Sequence, residues 1–287
     1  MKIKTSLGEK IFQVFNYTFL TLLSIICIYP LWHVLMASFS DHYALLGHSS
    51  LLLWFKDFTL DAYNKVLANP RIITGYISSI KLLVLGVSWQ MIMTILCAYV
   101  LSRPRFLLRR PLMLMITFTM FFSGGTIPFY MNLRDLGMLG HIWGLIIPFS
   151  MTTYNMIILR TAMEGLPDGL IEAATIDGAG HITIMFRIVL PLVKATLAVL
   201  VLYYGVAHWN NWFWAVRVIS DSSQLPLAVI LRDILIESNT AIMDGGQVSA
   251  ENIKYATIIV STLPILSIYP FIQRYFTQGV MIGAVKG

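Results

Sequence analysis

Charged residues are scarce in this chain of 287 residues: they make up only 12% of it, against about 25% in soluble domains. Cysteine is scarce too, because only Cys27 and Cys97 occur, and both lie in apolar runs where a thiol behaves as a small hydrophobe. We therefore expect no disulfide and no metal site. HExxH, GxSxG and phosphate-binding glycine motifs are also lacking, so the sequence predicts no catalytic residues.

Apolar sequence is abundant, at 57% of the chain, in stretches that approach the roughly 20 residues needed to cross a bilayer. We predict an all-α membrane protein of one domain, 1–287, with about six transmembrane helices. The predicted spans are 11–36, 81–101, 112–122, 141–159, 188–206 and 255–272, with an interfacial segment at 71–80 and outer loops at about 37–70 and 215–254.

The net charge is +6, but the basic residues do not form one patch. Lysines 2, 4 and 10 precede the first span, and arginines 103, 105, 109 and 110 follow the second. Basic residues collect in cytoplasmic segments of membrane proteins, so this distribution predicts a multi-pass topology with both termini in the cytoplasm. We expect the lipid bilayer as a partner and no nucleic acid.

One polar segment, LPDGLIEAATIDGAGHITIMFRIVLP at 166–191, differs from its apolar neighbours. Pro167 suits the first position of a helix, and Asp168 adds a favourable negative charge near its N-terminus. The helix is predicted to run to about Asp177, where Gly178 and Gly180 permit a sharp turn. This segment lies in a predicted cytoplasmic loop at about 161–187.

The same short helix has the composition of a docking surface. Ala173 and Ala174 give a flat surface that another protein can approach closely. Glu172 and Asp177 are available for charge-assisted hydrogen bonds to arginines of a partner.

The spacing of Glu172, Ala173, Ala174, Gly178, Ile188, Leu190 and Pro191 resembles the EAA loop of ABC importer permeases. The resemblance implies a type I importer permease of a prokaryotic cytoplasmic (inner) membrane. In such proteins the loop forms a coupling helix that docks on a separate ATPase subunit, which binds ATP and Mg. An ordinary interfacial helix is the alternative interpretation.

The likeness extends to the maltose-type, carbohydrate-uptake branch, through IDGAGHITIMFRIVLPLVKATLA and the ending QRYFTQGVMIGAVKG. It implies that Val285, Lys286 and Gly287 also contact the ATPases. The segments FFSGGTIPFYMNLRDLGMLG and GVAHWNNWFWAV are most similar to permeases for complex glycans. The implied partners are a second homologous permease subunit, two ATPase subunits and an external solute-binding protein.

Two groups of polar and aromatic residues could contact a sugar. They are Tyr154 and Asn155 on the fourth span, and His208, Trp209, Asn210, Asn211 and Trp212 at the end of the fifth. Interhelical or interfacial bonding is the alternative interpretation of these residues. Arg217 and Arg232 in the last outer loop would suit an acidic glycan such as alginate.

Three other functions remain open. An importer of a non-sugar solute would share the EAA loop. A secondary transporter usually needs carboxylates inside the membrane, and the acidic residues here fall outside the apolar centres. A membrane enzyme would need a catalytic constellation that the sequence does not display.

Overall fold

The structure of the protein is a computed structural model that describes residues 6–46, 51–243 and 252–267. The described chain is mainly helical, and within it the only β-type pairing is one isolated bridge between Ser40 and Phe58. The first seven helices are α1 Leu7–Ser38, α2 His42–Leu46, α3 Asp61–Ala68, α4 Pro70–Ser102, α5 Arg109–Phe118, α6 Thr126–Asp135 and α7 Thr153–Glu164.

Seven further helices follow in the described chain. They are α8 Asp168–Ile176, α9 His181–Ile184, α10 Leu190–Leu192, α11 Lys194–Trp209, α12 Trp212–Val218, α13 Leu227–Met243 and α14 252–267. Two 3₁₀ turns at Ile142–Leu145 and Ser222–Gln224 and a π-helical segment at Met185–Val189 complete the described elements.

The chain divides into two compact units. One comprises Met1–Pro70 with Asp233–Thr262, and the other comprises Arg71–Arg232 with Leu263–Gly287, in both cases as far as they are described. The expectation of one domain over 1–287 stays a prediction.

The first span is confirmed as a helix long and apolar enough to cross a membrane. The predicted 11–36 lies within α1, which starts from a reciprocal capping box: Ser6 Oγ accepts from the Glu9 amide at 3.2 Å, and Glu9 Oε2 accepts from the Ser6 amide at 2.7 Å. The predicted outer loop 37–70 contains α2 and α3, so it is partly helical.

The second predicted span, 81–101, lies within α4. This helix runs without interruption for 33 residues from Pro70 and so also includes the segment 71–80, whose interfacial position stays a prediction. Pro70 at the first helical position favours initiation. Gly75 does not break the helix, since its missing Cβ is what lets α4 approach α13: a Cβ there would lie 2.5 Å from Ile230 Cδ1 and 3.2 Å from Leu227 Cα.

The third and fourth predicted spans are broken in the structure. Helix α5 ends at Phe118, and an irregular segment through Gly125 separates it from α6. The fourth span, 141–159, consists of a 3₁₀ turn, an irregular stretch and the first half of α7.

The fifth span is replaced by a bent pair of segments. His181–Leu192 and Lys194–Trp209 meet at 84° around Val193. Pro191 accounts for the irregularity before the bend, because proline supplies no amide hydrogen and its ring crowds the carbonyl four residues earlier, which here falls in the π-helical segment.

In the described residues, α1 and α4 are each long and apolar enough to cross a membrane, and the bent pair makes a third span if its arms count together. The sixth predicted span, 255–272, overlaps α14 as far as residue 267. The predicted outer loop 215–254 contains most of α12 and all of α13, and residues 244–251 lie outside the described chain.

Candidate functional site

The predicted coupling helix is present as α8, one residue shorter at each end than expected. Pro167 is the residue before the helix, with φ −60° and ψ 125°, rather than its first member. Asp168 lies in the first turn, as predicted, where its carboxylate interacts favourably with the helix dipole.

The C-terminus of α8 is closed by a Schellman motif. The amide of Gly178 donates to the carbonyl of Thr175 at 3.1 Å, and the amide of Ala179 donates to the carbonyl of Ala174 at 2.9 Å. Gly178 has φ +80°, a conformation that favours glycine, so its predicted role in the turn is confirmed. Gly180 has φ −72°, which any residue adopts, so the turn does not depend on glycine at this position.

Helix α8 has an inner side and a solvent-facing side although none of its residues is fully buried. Ile171 and Ala174 pack partly against the hydrophobic core of their unit. Leu170, Ala173 and Ile176 form an exposed apolar stripe at a spacing of three, and Ile176 is 85% exposed.

Acidic residues flank this stripe. Asp168, Glu172 and Asp177 are all exposed, and no salt bridge joins any of them to a described residue. An exposed apolar stripe bordered by carboxylates on a nine-residue helix is a surface that a second protein with apolar and basic groups would cover. We name it the α8 face: Asp168, Leu170, Glu172, Ala173, Ile176 and Asp177.

The α8 face is joined to helix α4 through the turn that follows it. The Tyr99 hydroxyl donates to the carbonyl of His181 at 3.2 Å, and the two rings meet edge to face with centroids 6.5 Å apart. The guanidinium of Arg103 lies 4.9 Å from the centroid of the Tyr99 ring. Tyr99 thus joins His181, which begins α9 just after α8, to the C-terminal part of α4.

A second connection precedes α8. The Glu164 carboxylate accepts from Arg160 at 2.7 Å and from Arg109, and Arg160 Nε also donates to the carbonyl of Leu101 at 3.1 Å. One carboxylate thus joins the ends of α5 and α7, and Arg160 extends the connection to α4. The sequence placed Arg109 only as a topology signal and gave no indication of this network.

The remaining residues of the motif lie in the π-helical segment and α10. Ile188 is half-buried, and Leu190 packs partly against the core cluster around Val189 and Val193. Pro191 is exposed. They belong to the first arm of the bent pair, His181–Leu192, and are not part of the α8 face. Val285, Lys286 and Gly287 lie outside the described residues.

Among the predicted sugar contacts, His208 is part of an interhelical chain of hydrogen bonds. Its Nε2 lies 3.0 Å from Oε1 of Gln90 on α4, and Gln90 Nε2 donates to the carbonyl of Phe149 at 2.6 Å. His208 is buried, and a Cβ on Gly86 would collide with its imidazole ring. The interhelical interpretation describes His208 better than contact with a sugar.

The other predicted contacts are divided between several environments. Asn155 is buried, whereas its neighbour Tyr154 is 57% exposed. Asn210 donates to the carbonyl of Val206 within its own helix at 3.0 Å, and the ring of Trp209 lies 6.2 Å from that of Tyr76. Asn211 is half-buried and precedes α12. None of these residues lines the cavity described below.

The two arginines proposed for an acidic glycan each lie over an aromatic ring. The Arg217 guanidinium is 3.6 Å from the centroid of Phe213 and donates to the Phe213 carbonyl at 2.5 Å. The Arg232 guanidinium is 5.2 Å from the centroid of Trp212. Trp212 and Phe213 are themselves in edge-to-face contact at 5.7 Å, so both cations lie beside one aromatic cluster.

A cavity of about 390 Å³ lies beside that cluster, at the break between α5 and α6. Its lining includes three rings, Phe129, Phe149 and Trp214, which we call its aromatic wall, and three polar residues, Ser123, Thr126 and Asn132, which we call its polar rim. The sequence analysis missed it. The available signal was the glycine pair at 124–125, but nothing in the sequence relates that pair to rings far along the chain.

Comparisons with known proteins agree on one class. A family model described as "Binding-protein-dependent transport system inner membrane component" matches residues 71–282. The polygalacturonan/rhamnogalacturonan transport system permease protein YtcP of Bacillus subtilis (strain 168) is 36% identical over 285 residues, which is 97% of this chain and 99% of the relative. Protein LplC of the same organism is 37% identical over 283 residues, covering 97% and 96%.

The fold also has a close counterpart among solved structures. A chain of a bacterial ABC transporter involved in the import of the acidic polysaccharide alginate superposes with a TM-score of 0.89 and 31% sequence identity, covering 96% of this chain and all of that one. This likeness confirms the predicted all-α permease fold of a type I importer.

Proposed function

This chain belongs to the family of binding-protein-dependent transport system inner membrane components, and we propose that it is the non-catalytic permease subunit of an ATP-driven importer of oligosaccharides or polysaccharide fragments. Family membership confirms the resemblance to ABC importer permeases and establishes a membrane protein. The observation that carries the proposal is the α8 face, an exposed apolar and acidic surface anchored to the core beneath it.

The α8 face supports a role as the coupling element. Ile176 exposes an apolar side chain that a partner would bury, at a gain of roughly 1.5–3 kcal/mol for complete burial. Asp168, Glu172 and Asp177 would accept charge-assisted hydrogen bonds from arginines of the partner. The proposed partner is an ATPase subunit that binds ATP and Mg, and two such subunits would serve this permease and a second homologous one.

The arrangement of helices supports transmission from α8 into the membrane. Tyr99 joins the turn after α8 to α4, which is one of the long apolar helices. Glu164 joins the residues just before α8 to α5 and α7. We propose that the basic residues near these ends mark the cytoplasmic side and that both termini lie in the cytoplasm.

The proposed substrate is an acidic glycan. A permease of a polygalacturonan/rhamnogalacturonan transport system and a subunit of an alginate importer are both similar to this chain along nearly its whole length, and both names refer to acidic polysaccharides. The chain's own contribution is the pair Arg217 and Arg232 beside the aromatic cluster. An external solute-binding protein would deliver the glycan.

The test is reconstitution of the complete transporter in proteoliposomes, with its second permease, its ATPases and its binding protein. ATP hydrolysis should rise when the binding protein carries a galacturonate oligosaccharide, and labelled oligosaccharide should accumulate only with ATP inside the compartment that holds the ATPases. Accumulation by this subunit without any ATPase would instead establish a secondary transporter, and stimulation by amino acids or phosphate alone would establish a non-sugar importer.

A further inference from the structure

The cavity at the break between α5 and α6 has the composition of a sugar subsite. Phe129, Phe149 and Trp214 form an aromatic wall, with ring centroids 4.8 Å apart for Phe129 and Trp214, 5.3 Å for Phe129 and Phe149 and 5.7 Å for Phe149 and Trp214. The volume of about 390 Å³ is in the lower part of the range of about 300–1,000 Å³ of small-ligand sites.

The aromatic wall is held in position by bonds outside the cavity. Gln90 donates to the carbonyl of Phe149, and its neighbour Trp89 donates through Nε1 to Ser150 Oγ at 2.7 Å. Two successive residues of α4 therefore fix the segment that carries Phe149. Phe129 and Trp214 pack partly against the same hydrophobic cluster, which includes Leu133 and Leu145. A wall fixed before binding reduces the entropy lost when a ligand is bound.

The rim of the cavity is polar and carries no ionised side chain. Among the residues that the structure describes, no hydrogen bond involves the side-chain amide of Asn132 or the hydroxyl of Thr126. Ser123 Oγ accepts from the Gly125 amide at 3.2 Å and keeps its own hydrogen to donate. Amide and hydroxyl groups beside aromatic rings match the hydroxyl groups and the apolar C–H surface of a pyranose.

The cavity lies near the ends of α5 and α7 that are far from α8. Helix α5 starts at Arg109, beside Glu164 and close to α8, and reaches the cavity after its C-terminus. Phe149 precedes the start of α7, whose other end carries Glu164, and Trp214 follows the far end of α11. Two helices, α5 and α7, thus have one end beside Glu164 and the other end towards this cavity.

From these observations we propose that the cavity binds one pyranose unit of the transported glycan on the side opposite the ATPases. The inference rests on the proposed function. The aromatic wall recognises the C–H face of the sugar ring, and Asn132, Thr126 and Ser123 bond its hydroxyl groups. Because the lining carries no ionised group, this contribution to binding is largely insensitive to salt, unlike attraction between a glycan carboxylate and an arginine.

The experiment uses the complete transporter in nanodiscs and a galacturonate trisaccharide as the probe. Phe149→Leu keeps most of the apolar volume but removes the aromatic face, and Asn132→Leu removes an amide that has no bond to lose. Each should weaken trisaccharide binding by about two- to tenfold, to the same extent at low and at high NaCl. Phe121→Ala is the matched control, because Phe121 is 78% exposed, lies two residues before Ser123 and does not line the cavity.

A thiol at the rim tests access to the cavity. In a variant lacking Cys27 and Cys97, Thr126→Cys should react with a membrane-impermeant maleimide from the side opposite the ATPases, and the trisaccharide should slow the reaction. A thiol that never reacts in the complete transporter would mean that the second permease subunit covers the cavity, and it would overturn the proposal.

The outcomes separate the two claims. Wild-type uptake of the galacturonate trisaccharide together with unchanged affinity in both variants would overturn the subsite alone. A wild-type transporter that neither binds nor imports any sugar would overturn the proposed function and the subsite with it.

Discussion

The hydroxyl of Tyr99 donates a hydrogen bond of 3.2 Å to the backbone carbonyl of His181, and so joins the C-terminal end of a long apolar helix to the turn that follows α8. The bond is formed with a main-chain atom, so its acceptor does not depend on which side chain occupies position 181. It is a direct mechanical connection between a surface proposed to contact an ATPase and a helix proposed to cross the bilayer.

Tyr99→Phe should loosen this connection without removing the ring. A hydrogen bond of this kind contributes about 0.5–1.5 kcal/mol. The equilibrium between the conformation in which α4 contacts the residues after α8 and one in which it does not should therefore shift by about two- to tenfold. We expect ATP hydrolysis to continue while the amount of sugar transported per ATP falls. Tyr203→Phe on α11 is the control, and an unchanged ratio in Tyr99→Phe would contradict the proposed route.

Ala173→Trp should prevent the ATPase from docking, because a bulky ring would stand in the middle of the exposed stripe between Leu170 and Ile176. Ala173→Ser preserves the small volume and should retain docking. Co-purification of the ATPase from detergent-solubilised membranes measures the difference. Equal recovery with both variants would show that another surface holds the ATPase.

Glu172→Lys should weaken docking by reversal of charge rather than by size. If arginines of the ATPase face α8, the difference in docking between Glu172→Lys and the wild type should become smaller as NaCl is raised. Salt screens interactions between exposed charges, with a screening length of about 10 Å at 0.1 M. The measurement is transport-linked ATP hydrolysis at several salt concentrations. Normal hydrolysis at low salt would count against a contact at Glu172.

Glu164→Gln should destabilise the unit that contains α8 because it removes the charge shared by Arg109 and Arg160. We expect a loss of about 1 kcal/mol and a decrease in Tm of about 2–4 °C. Asp135→Asn is the matched control. The side chains of its ion pair, Arg134 and Asp135, are 57% and 64% exposed, so this pair should contribute less to the stability of the protein. Equal Tm values for both variants would mean that the Glu164 network is energetically unimportant.

Gly86→Ala should be strongly unfavourable compared with Gly205→Ala. A Cβ at position 86 would collide with the ring of His208, whereas a Cβ at position 205 meets nothing within 4 Å. Overpacking of this kind costs about 1–3 kcal/mol, and alanine at an open helical position should stabilise by about 0.5–1 kcal/mol. Thermal unfolding of the two variants in the same detergent gives the comparison, and a reversed order would show that His208 moves aside freely.

Local signals allowed much of α8 to be predicted. Pro167, Asp168 and Gly178 act on their immediate neighbours, so their roles could be read from spacing alone, with an error of one residue at each end. Gly180 shows the limit of such signals, because glycine permits a left-handed conformation without requiring it. The role of Gly75 could not be predicted from the sequence, because it depends on contact with Leu227 and Ile230, which lie far along the chain.

The cavity could not be predicted because it depends on tertiary structure. Phe129, Phe149 and Trp214 belong to three segments, and only the packing of their unit brings their rings together. Gln90 and Trp89 hold one of those segments from a fourth element. The interhelical bond of His208 has the same origin, since a histidine on an apolar helix gives no indication of which partner it will find.

The 84° bend at Val193 changes the direction of a movement that passes through it. When two helical segments meet near a right angle, a force along one segment rotates the pair about the bend and moves the far end of the other segment sideways. Movement of the arm His181–Leu192 would therefore displace Trp209, at the far end of the other arm, sideways, together with the aromatic residues that follow it.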